Sequence, residues 1–299
     1  MIAIKFFEQP ARLLAWFYSL THNYIISISI MAFLVMLVTA PLVLKSTKGM
    51  LEMQKLQPEM KRLQNQHRGD RQKLNEEMMK LYQEHKVNPL ASCFPLLLQM
   101  PVFIIMFRVL HGLTREITCT GTNVTQYAEA CLGNAGKTVF APQYVSSSSK
   151  LYQSLVGQNE MIAWGLDLSK RPFSVMRDSF TEGLIYVGLV LLLGILYFVQ
   201  QRMVASRAAV SPTVSPTQQK LMQYLPVVFA VFLIFYLTGL VIYYMAQAVF
   251  RIGLNFYITH RFYKGDESLG RQAQKASETA RELHKESVGG CGLFSFIFK

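Results

Sequence analysis

NPLASCFPLLLQMPVFIIMFRVLHG, residues Asn88 to Gly112, joins two unlike halves of the chain. From Cys93 to Leu110 it is apolar except for Gln99 and Arg108, a run long enough to be read as a membrane span. Pro95 and Pro101 interrupt it. Proline costs a water-exposed helix heavily but is tolerated in a span whose neighbours take up the freed backbone groups. Gln99 is then an amide at membrane depth, and such groups face a bundle interior or a wet cavity. The preceding residues, Lys45 to Val87, are charged and helix-forming. A water-seeking arm is thus hinged to a proline-bent span.

Composition agrees with a membrane protein. Of 299 residues, 51% are apolar, yet the formal net charge is +12. The positive residues sit beside apolar runs, as the positive-inside rule expects, so the basicity argues for membrane loops before nucleic acid. Four cysteines (Cys93, Cys119, Cys131 and Cys291) show no metal-ligand spacing. Cys119 and Cys131 share one polar loop, and two readings stand: a disulfide if the loop faces an oxidising compartment, or two free thiols. Cys93 packs most simply as a small hydrophobe.

Outward from the central stretch, residues 1–21 place Phe6, Phe7, Leu13, Leu14, Phe17 and Leu20 on one helical stripe, with Pro10 as a bend. This predicts an interfacial amphipathic helix with Trp16 and Tyr18 in the headgroup zone. A cleavable signal peptide fits less well, because the apolar run is interrupted and no small-residue cleavage site follows. The first span is assigned to residues 22–44. Lys45 and Lys48 at its end set that side in the cytosol and the N-terminus outside.

Residues 45–88 read as a cytosolic helical hairpin. Met53, Leu56, Met60 and Leu63 recur at three-four spacing, then Leu74, Met78, Leu81 and His85. Arg68-Gly69-Asp70 supplies the turn with Asp70 as N-cap, Pro58 kinks the first helix, and Asn88-Pro89 closes the second. The Met-rich stripes serve hairpin packing or an adaptable surface for partners, and the two can coexist. The second span covers 89–112, and a polar external loop with little periodicity covers 113–182, with Trp164 to Leu168 returning toward the interface. A third span at 183–202, a Pro-punctuated cytosolic loop at 203–219, a fourth span at 220–238 and a fifth at 239–260 follow. Thr238-Gly239 marks the turn between the last two. A basic cytosolic tail, 261–299, ends in the apolar GLFSFIFK. The fold class is therefore an all-α polytopic membrane protein of five spans, with an interfacial helix and a cytosolic hairpin.

Catalytic motifs are missing: there is no Gly-rich phosphate loop, HExxH or GxSxG. Arg108, His111 and Arg251 are the ionisable groups within apolar runs, and all three lie near span ends where snorkelling explains them. No Asp or Glu interrupts the spans, which lowers a proton- or ion-pump reading. No enzyme chemistry, cofactor or metal is expected.

KLQPEMKRLQ, DRQKLNEEMMKLYQEHKVNPLASCFPLLLQMPVF and LMQYLPVVFAVF…TGLVIYYMAQ together resemble the YidC-type membrane protein insertase family, in its compact five-span form. The resemblance covers nearly the whole chain, and NPLxxCFPLLxQMPxF is specific because it fixes hinge, two prolines and glutamine at set spacing. It implies a non-enzymatic insertase and folding helper in a bacterial plasma membrane, whose spans surround a wet groove open to cytosol and lipid. Its partners would be nascent membrane protein clients and the bilayer, with the ribosome and the Sec translocon as further candidates.

The family's groove carries an arginine in the first span, five positions before the proline of a Pro-Leu pair. Here that pair is Pro41-Leu42 and the position holds Met36, which puts attraction of acidic client tails in doubt. Thr39, Lys45, Gln99 and Gln247 are the candidates for keeping the groove hydrophilic; spacing does not settle whether Lys45 turns inward. Tyr243 and Tyr244 match the family's paired tyrosines of the last span, as client contacts or as packing. A small-solute channel would instead need a path open to both sides and repeat symmetry among spans, which the sequence lacks. A non-inserting scaffold would bury Gln99 and Thr39 against protein.

Overall fold

The computed structural model describes residues 2–67, 69–88, 94–205 and 216–264, with 268, 270–276, 278–280 and 282 of the tail. The hinge at 89–93 with Cys93, most of the connector after residue 205, and the GLFSFIFK end lie outside the described residues. The architecture is predominantly helical. Two compact units divide the chain, and several helices pass from one into the other: residues 1–38, 98–198 and 226–251 make the first, residues 39–97, 199–225 and 252–299 the second.

In the first unit, helix α1 (Ile2–Thr21) is amphipathic and carries Pro10 within it. Its buried stripe is Ala11, Leu14, Ala15, Phe17 and Tyr18, whereas Leu20 is exposed. The apolar face is thus rotated toward the small residues, which let α1 approach its neighbours closely. It packs on α8 (Lys150–Leu155), and just beyond its end Tyr24 donates to Ser154 Oγ at 2.9 Å.

Helix α2 (Tyr24–Lys55) runs 32 residues without a break. Helices α5 (Phe94–Leu113), α10 (Phe180–Ala205), α11 (Pro216–Phe232) and α12 (Thr238–Tyr263) complete the apolar helices. Among the described residues, α2 and α10 are long and apolar enough to cross a membrane, with shorter apolar stretches at Leu98–Leu113 and Tyr224–Phe235. One continuous core binds these helices, with Ile28, Met106, Val109, Leu193, Ala230 and Val241 almost free of solvent. A 3-10 turn, Leu233–Phe235, ends α11. Thr238-Gly239, read from sequence as the turn itself, forms the first residues of α12.

Residues 113–182 hold more structure than their weak periodicity suggests. Strands β1 (Glu116–Thr118) and β2 (Thr138–Phe140) pair antiparallel with Ile117 opposite Val139. Cys119 and Cys131 form a disulfide, with Cα atoms 5.4 Å apart, beside two short helices, α6 (Thr122–Gln126) and α7 (Ala128–Cys131). That cross-link and a small core of Ile117, Ala130, Val139 and Ala141 order a segment too polar to order itself by burial. A second ribbon, β3 (Ile162–Ala163) with β4 (Leu166–Asp167), turns tightly at Trp164-Gly165, both with positive φ. Helix α9 (Pro172–Asp178) follows.

In the second unit, α3 (Gln57–Gln66) and α4 (Arg71–Glu84) pack against each other. Leu56, Met60, Met78 and Leu81 are their buried core, the packing reading of the Met stripes. Asp70 caps α4 by accepting from the Lys73 amide at 3.0 Å. Pro58 breaks the chain rather than kinking one helix: α2 stops at Lys55, and Pro58 sits in the first turn of α3, where its missing N–H is no loss.

Candidate functional site

The polar residues of the first unit converge where α5, α10 and α12 meet. Arg251 Nη2 donates to Gln99 Oε1, and Gln99 Nε2 donates on to Gln247 Oε1 at 3.3 Å. The direction is forced: a guanidinium only donates, so the Gln99 carbonyl must face it and the amide is left for Gln247. Gln247 is buried, while Gln99 and Arg251 are half-buried. Among the described residues no carboxylate lies within ion-pair distance of Arg251. Among the described residues, the hydrogen-bond partner of the Arg251 guanidinium is the Gln99 amide carbonyl.

Around this trio lies an aromatic wall. Tyr243 and Tyr244 are fully buried, with ring centroids 5.3 Å apart. Tyr244 meets Phe229 edge-on at 5.4 Å, and Phe103 meets Phe229 the same way at 5.6 Å. Such pairs stabilise by about 0.5–1.5 kcal/mol each beyond area burial. Both tyrosines are packed among these rings, and the Tyr243 hydroxyl has no hydrogen-bond partner among the described residues.

Gln99, Gln247, Tyr243 and Tyr244, singled out from sequence, thus share one locality. Met36 is buried in the same unit; nearby on α2, Phe33 packs on Phe250, the residue before Arg251, with ring centroids 4.6 Å apart. Thr39 and Lys45 belong to the second unit: Thr39 is half-buried on α2 and Lys45 is exposed. The missed residue is Arg251, read as snorkelling from its place near a span end. Its signal was spacing: Tyr243, Gln247 and Arg251 recur every four residues, and Tyr244 and Arg251 every seven, so all share one helix face. Arg108 and His111 are exposed, in keeping with snorkelling.

A family model described as 60Kd inner membrane protein matches residues 16–265. The chain is similar to proteins named Membrane protein insertase YidC. That of Magnetococcus marinus is 33% identical over 253 residues, 84% of this chain and 35% of the relative. That of Maridesulfovibrio salexigens is 32% identical over 240 residues, 80% of this chain and 35% of the relative. That of Syntrophobacter fumaroxidans is 28% identical over 266 residues, 85% of this chain and 38% of the relative. The chain therefore spans between a third and two fifths of the length of these relatives.

Proposed function

The chain belongs to the 60Kd inner membrane protein family, and from that premise we propose that it inserts client proteins into a bacterial inner membrane without covalent chemistry. Five helices span the bilayer in this reading, α2, α5, α10, α11 with its 3-10 extension, and α12. The N-terminus lies outside, and the hairpin and the tail lie in the cytosol. Packing of α1 on the disulfide-bearing segment, and lysines flanking the other end of the first span, support that orientation. At about 1.5 Å per residue the 26 residues of α12 are long enough to cross an apolar layer of about 30 Å.

The observation that carries the reading is the chain Arg251–Gln99–Gln247 in the midst of apolar helices. A polar client segment left without partners in hydrocarbon costs several kcal/mol per group. A hydrophilic lining that reaches from the cytosol to Gln99 shortens the dry path. The client's apolar helix then leaves sideways into lipid, driven by the hydrophobic effect. Arg251, from the last span, supplies the cation that Met36 does not. Thr39 and Lys45, further along α2, remain hydrophilic candidates by their place in the sequence, and Tyr243 and Tyr244 act as the wall that holds α12 in place. The hairpin receives clients, with ribosome and Sec contacts as further roles.

The test is to deplete the host insertase, supply this chain, and follow a short Sec-independent client, with photo-crosslinkers placed at Thr39 and at the exposed Leu191 of α10 as control. Insertion with a crosslink at Thr39 and none at Leu191 supports the proposal. Absence of insertion while the host insertase still works beside the chain overturns it.

A further inference from the structure

We propose that residues 161–180 form a plate lying in the outer headgroup layer of the bilayer, with Ile162, Trp164 and Phe173 dipping into lipid. The proposal rests on the membrane-spanning part of the reading above and not on client insertion.

The first ground is an inverted pattern. From Met161 through β3 to the turn, Met161 and Ala163 are buried, while Ile162 and Trp164 are 57% and 70% exposed. An outward face in water carries polar residues; here it carries an isoleucine and a tryptophan. Trp164 moreover holds a left-handed backbone at φ 51°, a position where Asn is at ease and a bulky ring is not. The ring sits at the tip of the ribbon against local preference, which points to a task for it there.

The second ground is depth. The plate is bonded to the first residues of α12 and to the second turn of α10. Thr238 donates to the Lys170 carbonyl through its amide at 2.9 Å and its hydroxyl at 2.8 Å, and Gly239 donates to the Leu168 carbonyl at 2.9 Å. These bonds satisfy amides that the start of α12 would leave open. The Tyr186 hydroxyl on α10 accepts from the Asp167 amide at 2.8 Å. The plate therefore sits level with the helix ends, where Trp is at home between hydrocarbon and water.

The third ground fixes the occupant. Phe173, half exposed, lies 5.2 Å ring to ring from Phe235 at the end of α11. Phe180, exposed at the first residue of α10, runs into Leu184 and Ile185, also exposed. The outward apolar surface of the plate is thus continuous with the flanks of the helices that face lipid. Arg171 and Arg177, both exposed beside it, have the length to keep their charges in the headgroups while their stems cover the plate.

Trp16 and Trp164 are the two tryptophans of the chain, so the Trp16→Phe variant of the full chain reports on Trp164 alone. Reconstituted into phosphatidylcholine–phosphatidylglycerol vesicles brominated at shallow or deep acyl positions, its emission should fall at least two-fold with shallow bromine and less with deep bromine. Acrylamide should quench it weakly. Trp16→Phe/Trp164→Phe/Leu192→Trp, with its ring midway along α10, is the control and should respond most to deep bromine. If the control responds and Trp164 is quenched by acrylamide but by neither bromine, the plate faces water and the proposal falls. Protection from both means protein covers it, and stronger quenching by deep bromine means it is embedded; either overturns the proposal. A control blind to bromine instead removes the spanning premise, and the proposal with it.

Discussion

Arg251 donates a hydrogen bond to Gln99, a residue 152 positions earlier in the chain, and through it reaches the amide of Gln247. A cation held this way has its orientation fixed, and among the described residues no carboxylate pairs with it. The expected consequence is selectivity for clients with acidic translocated tails. A contact worth about 1.4 kcal/mol is a ten-fold effect, so Arg251→Ala should lower insertion of such a client roughly ten-fold by that scale. Arg251→Lys should preserve most of it, and a client with its acidic residues neutralised should be indifferent to both changes. Equal loss for acidic and neutral clients in a protease-protection assay would make Arg251 structural.

The same pair makes a stability prediction. Gln99→Leu leaves a half-buried guanidinium and a buried amide without their partner, a loss of about 1.5–3 kcal/mol for a hydrogen bond to a charged group. Adding Arg251→Met removes the stranded charge, so the double variant should recover part of that loss. Unfolding of the four members of this cycle in detergent, by denaturant titration, measures the coupling. Strict additivity would mean the two side chains do not interact.

Much of this architecture is legible in the sequence because hydrophobic runs, basic flanks and the NPLxxCFPLLxQMPxF spacing are local signals. The Asp70 cap on the Lys73 amide is legible because it is a matter of three residues. What could not be read is what depends on remote partners. Arg251 looks like any snorkelling arginine until Gln99 is brought beside it. Residues 113–182 look like a loop because their order rests on a disulfide, a three-residue ribbon and bonds to Tyr186 and Thr238. The burial stripe of α1 shifted to Ala11 and Ala15 because close approach, not side-chain hydrophobicity, decides which face packs.

The disulfide gives the third prediction. Its sequence separation is 12, and closing a loop of that size stabilises by about 3 kcal/mol in the chain-entropy picture. Cys119→Ser/Cys131→Ser should therefore loosen β1 and β2 while leaving the helices intact, seen as faster proteolysis confined to residues 116–140. In whole cells, a membrane-impermeant maleimide should label these two cysteines only after reduction. Labelling without reductant would show that the bond does not form in the cell.

In the hairpin, Met60 is 1% exposed and packs in a core of four buried residues. Met60→Ala should cost about 2–5 kcal/mol, against about 1 kcal/mol for Asp70→Ala at the cap. Limited proteolysis of the full chain between residues 57 and 84 should accelerate in that order. The reverse order would mean that the hairpin is held by its turn and not by its methionine core.

Gly183 shows how tightly α9 is held against the start of α10. A Cβ built there would lie 2.2 Å from Met176 Cα and 2.7 Å from Met176 N. These are backbone atoms, so no rotamer change relieves the clash, and α9 must move. Overpacking of this kind costs about 1–3 kcal/mol. Gly188, five residues further along α10, has nothing within 4 Å of its added Cβ, and there alanine should stabilise the helix by about 0.5–1 kcal/mol. The two variants change the same helix by the same methyl group, so their difference isolates the α9 contact. Denaturant titration should show Gly183→Ala less stable and Gly188→Ala equal or better. In the Trp16→Phe background, Gly183→Ala should also shift the Trp164 emission, because α9 and the β3–β4 ribbon are joined through Ser169 to Arg171. A Gly183→Ala protein as stable as its parent, with Trp164 unchanged, would show that α9 does not rest on α10 as described.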